Sequence, residues 1–133
     1  MNKVTPDASL RVISAVRDLL TQLQGATRAT DEGRHVPAEI IAGLRSAGVY
    51  RMVVPAALGG DELDLQTFLD VVELVSEGNG AAGWDVAASS WGALVALSFP
   101  QGGLACLCDA GPDVIFAGGV AGAGQAGEPD GGH

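Results

Sequence analysis

A glycine-rich stretch near the end of the chain has the spacing of a dinucleotide-binding loop. Gly122, Gly124 and Gly127 match the pattern G-x-G-x-x-G, and the stretch follows an apolar run at 114–117. The dinucleotide interpretation also needs a helix directly after the loop, because the helix N-terminus binds the pyrophosphate. The next residues, at 128–132, are EPDGG and are unsuited to a helix. A glycine-rich loop between strands is therefore favoured.

The thiols and imidazoles form no metal-binding pattern. Cys106 and Cys108 are two residues apart, too close for an easy disulfide, and no second ligand pair accompanies them. His35 and His133 are the only histidines, and neither has a cysteine or an acid at ligand spacing. We therefore predict no metal site and two reduced thiols. No apolar run follows Lys3, so we expect a cytoplasmic protein without a signal peptide.

Two serines and two tryptophans occupy one apolar segment. Ser89 and Ser90 lack the G-x-S-x-G context of a nucleophile, and buried helical serines usually bond back to the preceding turn. Trp84 and Trp91 lie seven residues apart on one face of a predicted helix and belong to the core by default. The alternatives are a ligand contact for the serines and a cavity beside one indole, whose N–H needs a partner.

Apolar residues recur at spacings of three and four, which predicts a mainly helical fold. Short helical turns are expected at 26–32 and 104–109. The main helices are expected at 6–24, 37–47, 64–77 and 81–99. The apolar face of the third is expected to consist of Leu65, Phe68, Leu69, Val72 and Val75.

The fourth predicted helix is apolar nearly all round, with Asp85 as its only charge. Such a pattern is typical of a buried helix. No charge follows from 86 to 108, which resembles a membrane span, but Pro100 and two glycines interrupt the run and leave it too short. We therefore predict a buried helix and no membrane segment.

The amino-acid composition changes near residue 114. Residues 114–117 have the composition of a strand, and seven glycines follow within 118–133. We therefore divide the chain into a helical domain at 1–113 and the glycine-rich start of a truncated β-domain at 114–133. Because ordering glycine costs more backbone entropy than ordering other residues, we expect fast amide exchange throughout 118–133.

Composition excludes two classes of protein. Apolar residues make up 47% of the 133, too many for intrinsic disorder. The net charge of −9 and pI of about 4.3 exclude nonspecific nucleic-acid binding. All 7 basic residues lie within 1–51, so the acidic remainder must face water or take cations from elsewhere, a first indication that the chain belongs to something larger.

A spaced set of residues runs through the middle of the chain: Asp31, Pro37, Glu39, Leu44, Ala47, Gly48, Val54, Pro55, Gly59 and Gly60. Together with the third helix and the Ala-Ala-Gly-Trp stretch at 81–84, which follow at the expected distances, this pattern resembles the N-terminal domain of the acyl-CoA dehydrogenase superfamily. The Gly-Trp form and the run GPDVIFAGGVA at 111–121 look closer to the flavin-dependent monooxygenase branch. The resemblance covers roughly 7–121.

The resemblance implies a three-part enzyme: a helical N-terminal domain, a small β-domain and a C-terminal four-helix bundle. FAD or FMN would lie between the last two parts, and the helical domain would cover one wall of the pocket for a small-molecule or acyl-CoA-type substrate. Members are usually dimers or tetramers. The monooxygenase branch often has a histidine in the fourth helix, but 86–99 contains none and Gly92 stands near its place. No catalytic residue is therefore carried over.

Two hypotheses follow. The first is the N-terminal domain, or a truncated form, of such a flavin-dependent oxidoreductase, which shapes the substrate channel and is not catalytic alone. Its pocket would be lined by Trp84, Ser89, Ser90 and Trp91. The second is a non-catalytic helical module that self-associates or binds a partner. Both predict a homo-oligomer without nucleic acid or membrane as a partner.

Overall fold

The structure, a computed structural model, describes residues 6–100 and 102–117. Within these ranges it has six α-helices, two short 3-10 turns and no β-strand, which confirms a mainly helical fold. None of the described helices is long and apolar enough to cross a membrane. The helices are α1 (Pro6–Gly25), α2 (Thr27–Gly33), α3 (Ala38–Ser46), α4 (Leu65–Gly78), α5 (Gly80–Ala96) and α6 (Gly103–Leu107). The 3-10 turns are Val49–Arg51 and Ala56–Leu58.

The main core lies among α1, α3, α4 and α5. Val12 and Val16 of α1, Leu44 of α3, and Val71 and Val75 of α4 have no exposed surface. The spacing of four places each valine pair on one face of its helix. Burial of each such side chain contributes roughly 1.5–3 kcal/mol. The four main helices therefore form close to where their apolar stripes predicted them.

The buried face of α4 differs from the predicted one. Leu65 and Leu69 are 68% and 50% exposed, whereas Thr67 and Val71 are buried with Val75. The reason is that α4 packs against α1 on one side and α5 on the other. Smaller residues at spacings of four allow both approaches, and the larger leucines remain at the margin.

The prediction that α5 is buried all round is also wrong. One side of the helix is buried through Ala82, Val86 and Ala93, but Trp84 and Trp91 are 76% and 69% exposed. Small residues allow α5 to lie close to α4, so the bulky side chains point away from the core. Because α5 has apolar residues on every side, its sequence does not indicate which face is buried.

Two glycines set the spacing of the helices. A Cβ atom on Gly83 of α5 would lie 2.0 Å from Ser76 Oγ of α4, and 2.9 Å from the Ser76 Cα. A Cβ on Gly78 of α4 would lie 2.7 Å from Leu23 Cβ of α1. Because real Cβ atoms do not approach so closely, these positions need glycine for α5 to reach α4 and for α4 to reach α1.

Residues 114–117 form no strand, contrary to the prediction. No other described segment is extended beside them to provide a ladder. Instead the segment lies across α5, where the Phe116 amide donates a hydrogen bond to Ser89 Oγ at 3.0 Å. The expected G-x-G-x-x-G loop and the exchange prediction for 118–133 lie outside the described residues.

Arginines of the first part of the chain supply cations to acids of the second part. Arg51 lies 3.0 Å from Asp113 and 3.3 Å from Asp61, and Arg11 lies 2.8 Å from Asp61. The Arg51–Asp61 contact is an ion pair too poorly aligned to be a hydrogen bond. These contacts connect α1, the first 3-10 turn, the loop before α4 and the segment after α6.

Candidate functional site

An open groove of about 560 Å³ lies between α5 and the connection from α2 to α3. α2 contributes Asp31, the connection contributes Arg34 and His35, and α5 contributes Trp84 and Asp85. The remaining lining residues are Thr30, Val36, Ala81, Ala88, Phe116 and Ala117. The groove thus combines an aromatic surface, two carboxylates, a guanidinium and an imidazole.

A buried amide joins the two walls of this groove. Asn79 caps α5, where its Oδ1 accepts a hydrogen bond from the Ala82 amide at 3.1 Å. Its Nδ2 donates to Thr30 Oγ1 of α2 at 3.1 Å, and Thr30 in turn donates to the Ala26 carbonyl. A side chain that caps a helix in this way typically stabilises it by about 1 kcal/mol. Asn79 therefore fixes the start of α5 relative to α2.

The connection from α2 to α3 turns sharply at its first residue. Arg34 has a φ of 55°, in the left-handed region, and ends α2. The next side chain turns back, with His35 Nδ1 lying 2.7 Å from the Gly33 carbonyl oxygen. Both side chains are exposed. They give the connection wall its polar character.

The only tyrosine in the chain, Tyr50, orients the side chain of Asp85. The Tyr50 hydroxyl donates a hydrogen bond of 2.6 Å to Asp85 Oδ2, and Tyr50 is 1% exposed. Burial, and then the bond to Asp85, raise the pKa of Tyr50 far above its usual range. Tyr50 therefore remains a donor at any physiological pH, and the carboxylate of Asp85 is oriented at the groove.

Of the four predicted pocket residues, Trp84 lines the groove and the other three do not. Ser89 and Ser90 are each 1% exposed. Ser89 accepts the Phe116 amide instead of bonding back along its helix, and Ser90 Oγ has no hydrogen-bond partner among the described residues. Trp91 lies on the exposed surface, so neither tryptophan belongs to the core.

Gly92 provides the place where the segment after α6 crosses α5. A Cβ atom at this position would lie 2.5 Å from Phe116 Cβ. Ser89, one turn earlier, binds the amide of the same phenylalanine. A larger residue at Gly92 would therefore displace the segment that lines the groove.

The described residues contain no group of three or more potential metal ligands. They do not fit a flavin phosphate either. Arg34 is the only arginine or lysine at the groove, and it shares the groove with Asp31 and Asp85. Two carboxylates beside one guanidinium disfavour the phosphate of FMN and the pyrophosphate of FAD. We therefore assign no residue of the groove to holding a flavin.

The sequence did not predict Asp85, which lines the groove, or Tyr50 and Asn79, which hold its walls in place. Tyr50 and Asp85 are 35 residues apart, and no local pattern links them. Asn79 is not among the predicted site residues, although an asparagine before an apolar helix is a typical N-cap. The one available signal was that Asp85 is the single charge in α5.

Comparison with known proteins gives relatives of one kind. An indole-3-acetate monooxygenase from Acinetobacter baumannii is 38% identical over 90 residues, 68% of this chain and 23% of that protein. One from Pseudomonas putida is 33% identical over the same lengths. The oxygenase component of an FADH2-dependent resorcinol hydroxylase from Rhizobium sp. is 28% identical over 124 residues, 93% of this chain and 30% of that protein.

No model of a known protein family matches the chain, and no solved structure matches it. The chain spans less than a third of the length of the relatives above. A flavin-dependent monooxygenase oxygenase subunit from Mycobacterium tuberculosis matches over a shorter stretch of 73 residues. Over its matched residues, the chain is related to the oxygenase components of flavin-dependent monooxygenases.

Proposed function

We propose that the chain is the helical N-terminal part of a flavin-dependent monooxygenase within the acyl-CoA dehydrogenase superfamily. The observation that carries the proposal is its similarity, over most of its length, to oxygenase components of such enzymes. FAD or FMN would be bound by other parts of the protein, because the groove does not suit its phosphates. The chain alone would therefore bind no flavin and catalyse no hydroxylation.

The role of this part is to provide one wall of the substrate channel. The groove beside Trp84 supplies an exposed aromatic face with polar groups at its edge. The relatives are named for indole-3-acetate and resorcinol, which are aromatic compounds. A small aromatic substrate is therefore the class that the groove supports best.

A segment exchange tests this function. The matched 90 residues of the Acinetobacter baumannii relative are replaced by those of this chain, and flavin binding and turnover of indole-3-acetate are measured. We expect a folded, flavin-loaded protein with measurable turnover. The matched control carries the Pseudomonas putida segment. Activity in the control and none in a folded, flavin-loaded exchange protein would contradict the proposal.

A second candidate function is self-association, favoured by exposed apolar side chains at the end of α5 and after it. Trp91 is 69% exposed, Leu97 46% and Phe99 51%. Contiguous apolar surface of this kind rarely stays uncovered on a monomer.

Light scattering at micromolar concentration should show a dimer or a larger species, and Trp91→Glu should convert it to a monomer. Leu10→Glu is the matched control, because Leu10 is 67% exposed but lies on α1, away from that surface. A monodisperse monomer of the unaltered chain would contradict self-association.

A further inference from the structure

Asp85 is a carboxylate without a cation. It is the only charged residue of α5, it is half-buried, and no lysine, arginine or histidine among residues 6–100 and 102–117 forms an ion pair with it. Taking a carboxylate partly out of water without a cation costs free energy. An otherwise apolar helix that retains such a group needs a compensating interaction.

The bond from Tyr50 does not by itself account for the charge. One hydroxyl donor uses one of roughly four acceptor positions on a carboxylate, and the amide of an asparagine accepts such a donor equally well. The remaining acceptor positions of Asp85 are available on the groove side, where Asp85 is one of the lining residues. The carboxylate is therefore oriented by Tyr50 and has acceptor capacity to spare.

The residues around Asp85 determine which shape of ligand the groove can accept. The exposed indole of Trp84 precedes it, and Ala81 and Ala88 line the groove from the same helix without obstructing it. Phe116 lines the groove as well. A planar ring fits between such apolar surfaces, since aromatic pairs gain from offset or edge-to-face contact.

We propose that Asp85 is the hydrogen-bond acceptor by which the groove selects aromatic ligands that carry an O–H or N–H donor, and that Tyr50 is its positioning residue. The inference rests on the proposed function, because it names the polar determinant of the same substrate groove. It assigns Asp85 to ligand recognition only, without a proton-transfer role. The other ionisable side chains that line the groove are Arg34, His35 and Asp31.

Phenol and anisole test this assignment, because methylation of the phenol oxygen removes the donor and keeps the ring. Binding to the 133-residue chain is followed by the fluorescence of Trp84 in a Trp91→Phe background, without flavin. We expect phenol to bind about tenfold more tightly than anisole, as for a hydrogen bond to a charged group. Asp85→Ala should reduce that ratio to about one.

The variants at Tyr50 separate positioning from structure. Tyr50→Phe should lower the phenol-to-anisole ratio to about threefold, because the carboxylate loses its fixed orientation, whereas a purely structural role would lower Tm and leave the ratio unchanged. Asp85→Ala leaves the buried hydroxyl of Tyr50 without its hydrogen-bond partner. The double variant Tyr50→Phe/Asp85→Ala is therefore measured as well, because it removes both partners of the hydrogen bond. Asp85→Asn keeps an acceptor and should retain part of the preference.

A tenfold preference that persists in a folded Asp85→Ala or double variant would overturn the inference. So would equal binding of the two probes to the unaltered chain, or binding of neither. Because no flavin is present, such a result leaves the segment-exchange test of the proposed function untouched. Conversely, an exchange protein that does not turn over indole-3-acetate would not explain why the chain fails to prefer phenol over anisole.

Discussion

At the scale of single residues, the groove depends on polar groups that are buried or half-buried and satisfied over long sequence distances. Tyr50 reaches Asp85 across 35 residues, and Asn79 reaches Thr30 across 49. In the sequence, such residues can be recognised as polar positions within apolar runs. Their spacing, however, does not indicate which residue each of them forms a hydrogen bond with. Trp84 could be named as a pocket candidate because a cavity was one way to satisfy its indole.

The chain should lose stability at high pH through Tyr50. Burial and the bond to Asp85 raise its pKa, so the unfolded state releases this proton near pH 10 while the folded state retains it. The free energy of unfolding should therefore fall as pH rises above about 10. Tyr50→Phe should lack this part of the pH dependence.

Because Tyr50 is the only tyrosine, ultraviolet absorbance of tyrosinate reports on it alone. We expect that signal to appear together with the loss of helical circular dichroism. A tyrosinate titration near pH 10 with the helices intact would contradict the buried hydrogen bond.

At the scale of elements, amphipathic stripes predicted the helices because each buries one face. The predicted and observed ends of α1, α3 and α4 differ by a single residue. The orientation of α5 was not predictable, because an apolar residue stands on every side of it. The prediction of a strand at 114–117 was wrong for a different reason. A β-branched composition indicates a strand only where a partner strand is present to pair with it.

The close approach of α4 and α5 should make Gly83 intolerant of a methyl group. Gly83→Ala should lower the free energy of unfolding by about 1–3 kcal/mol, because Ser76 or its helix must shift. The helix-propensity gain of about 1 kcal/mol offsets only part of that cost.

Gly80→Ala is the matched control on the same helix, since nothing lies within 4 Å of its added Cβ. It should leave the chain unchanged or slightly more stable. Urea unfolding of the two variants gives the comparison, and equal effects at both positions would show that helix spacing is not set by Gly83.

At the scale of the whole molecule, arginines from the first part of the chain connect to acids from the second. Arg51 contacts Asp61 and Asp113 from a position that is 23% exposed. Composition left open whether the acids face water or take cations from elsewhere, and it did not indicate which arginine would make the contacts. That choice follows from the 3-10 turn at Val49–Arg51, which lies beside α5.

Loss of the central arginine should be more costly than loss of a surface one. Arg51→Met should lower the free energy of unfolding by about 1–2 kcal/mol, because Asp113 loses its cation and Asp61 loses one of two. Arg28→Met removes an exposed pair with Glu32 and should change it by less than about 0.5 kcal/mol. Thermal unfolding at low and high salt measures both, and equal losses would contradict the connecting role of Arg51.

The packing of α1 against α4 has a consequence for synthesis on the ribosome. Val12, Val16 and Leu23 are made early, but α4, which covers much of their surface, ends only at Gly78. At about 5–20 residues per second, synthesis from the end of α1 to the end of α4 takes roughly 3–11 s. During that time the first helix has an uncovered apolar stripe, and a chaperone that binds nascent chains would meet it there before the protein's own core does.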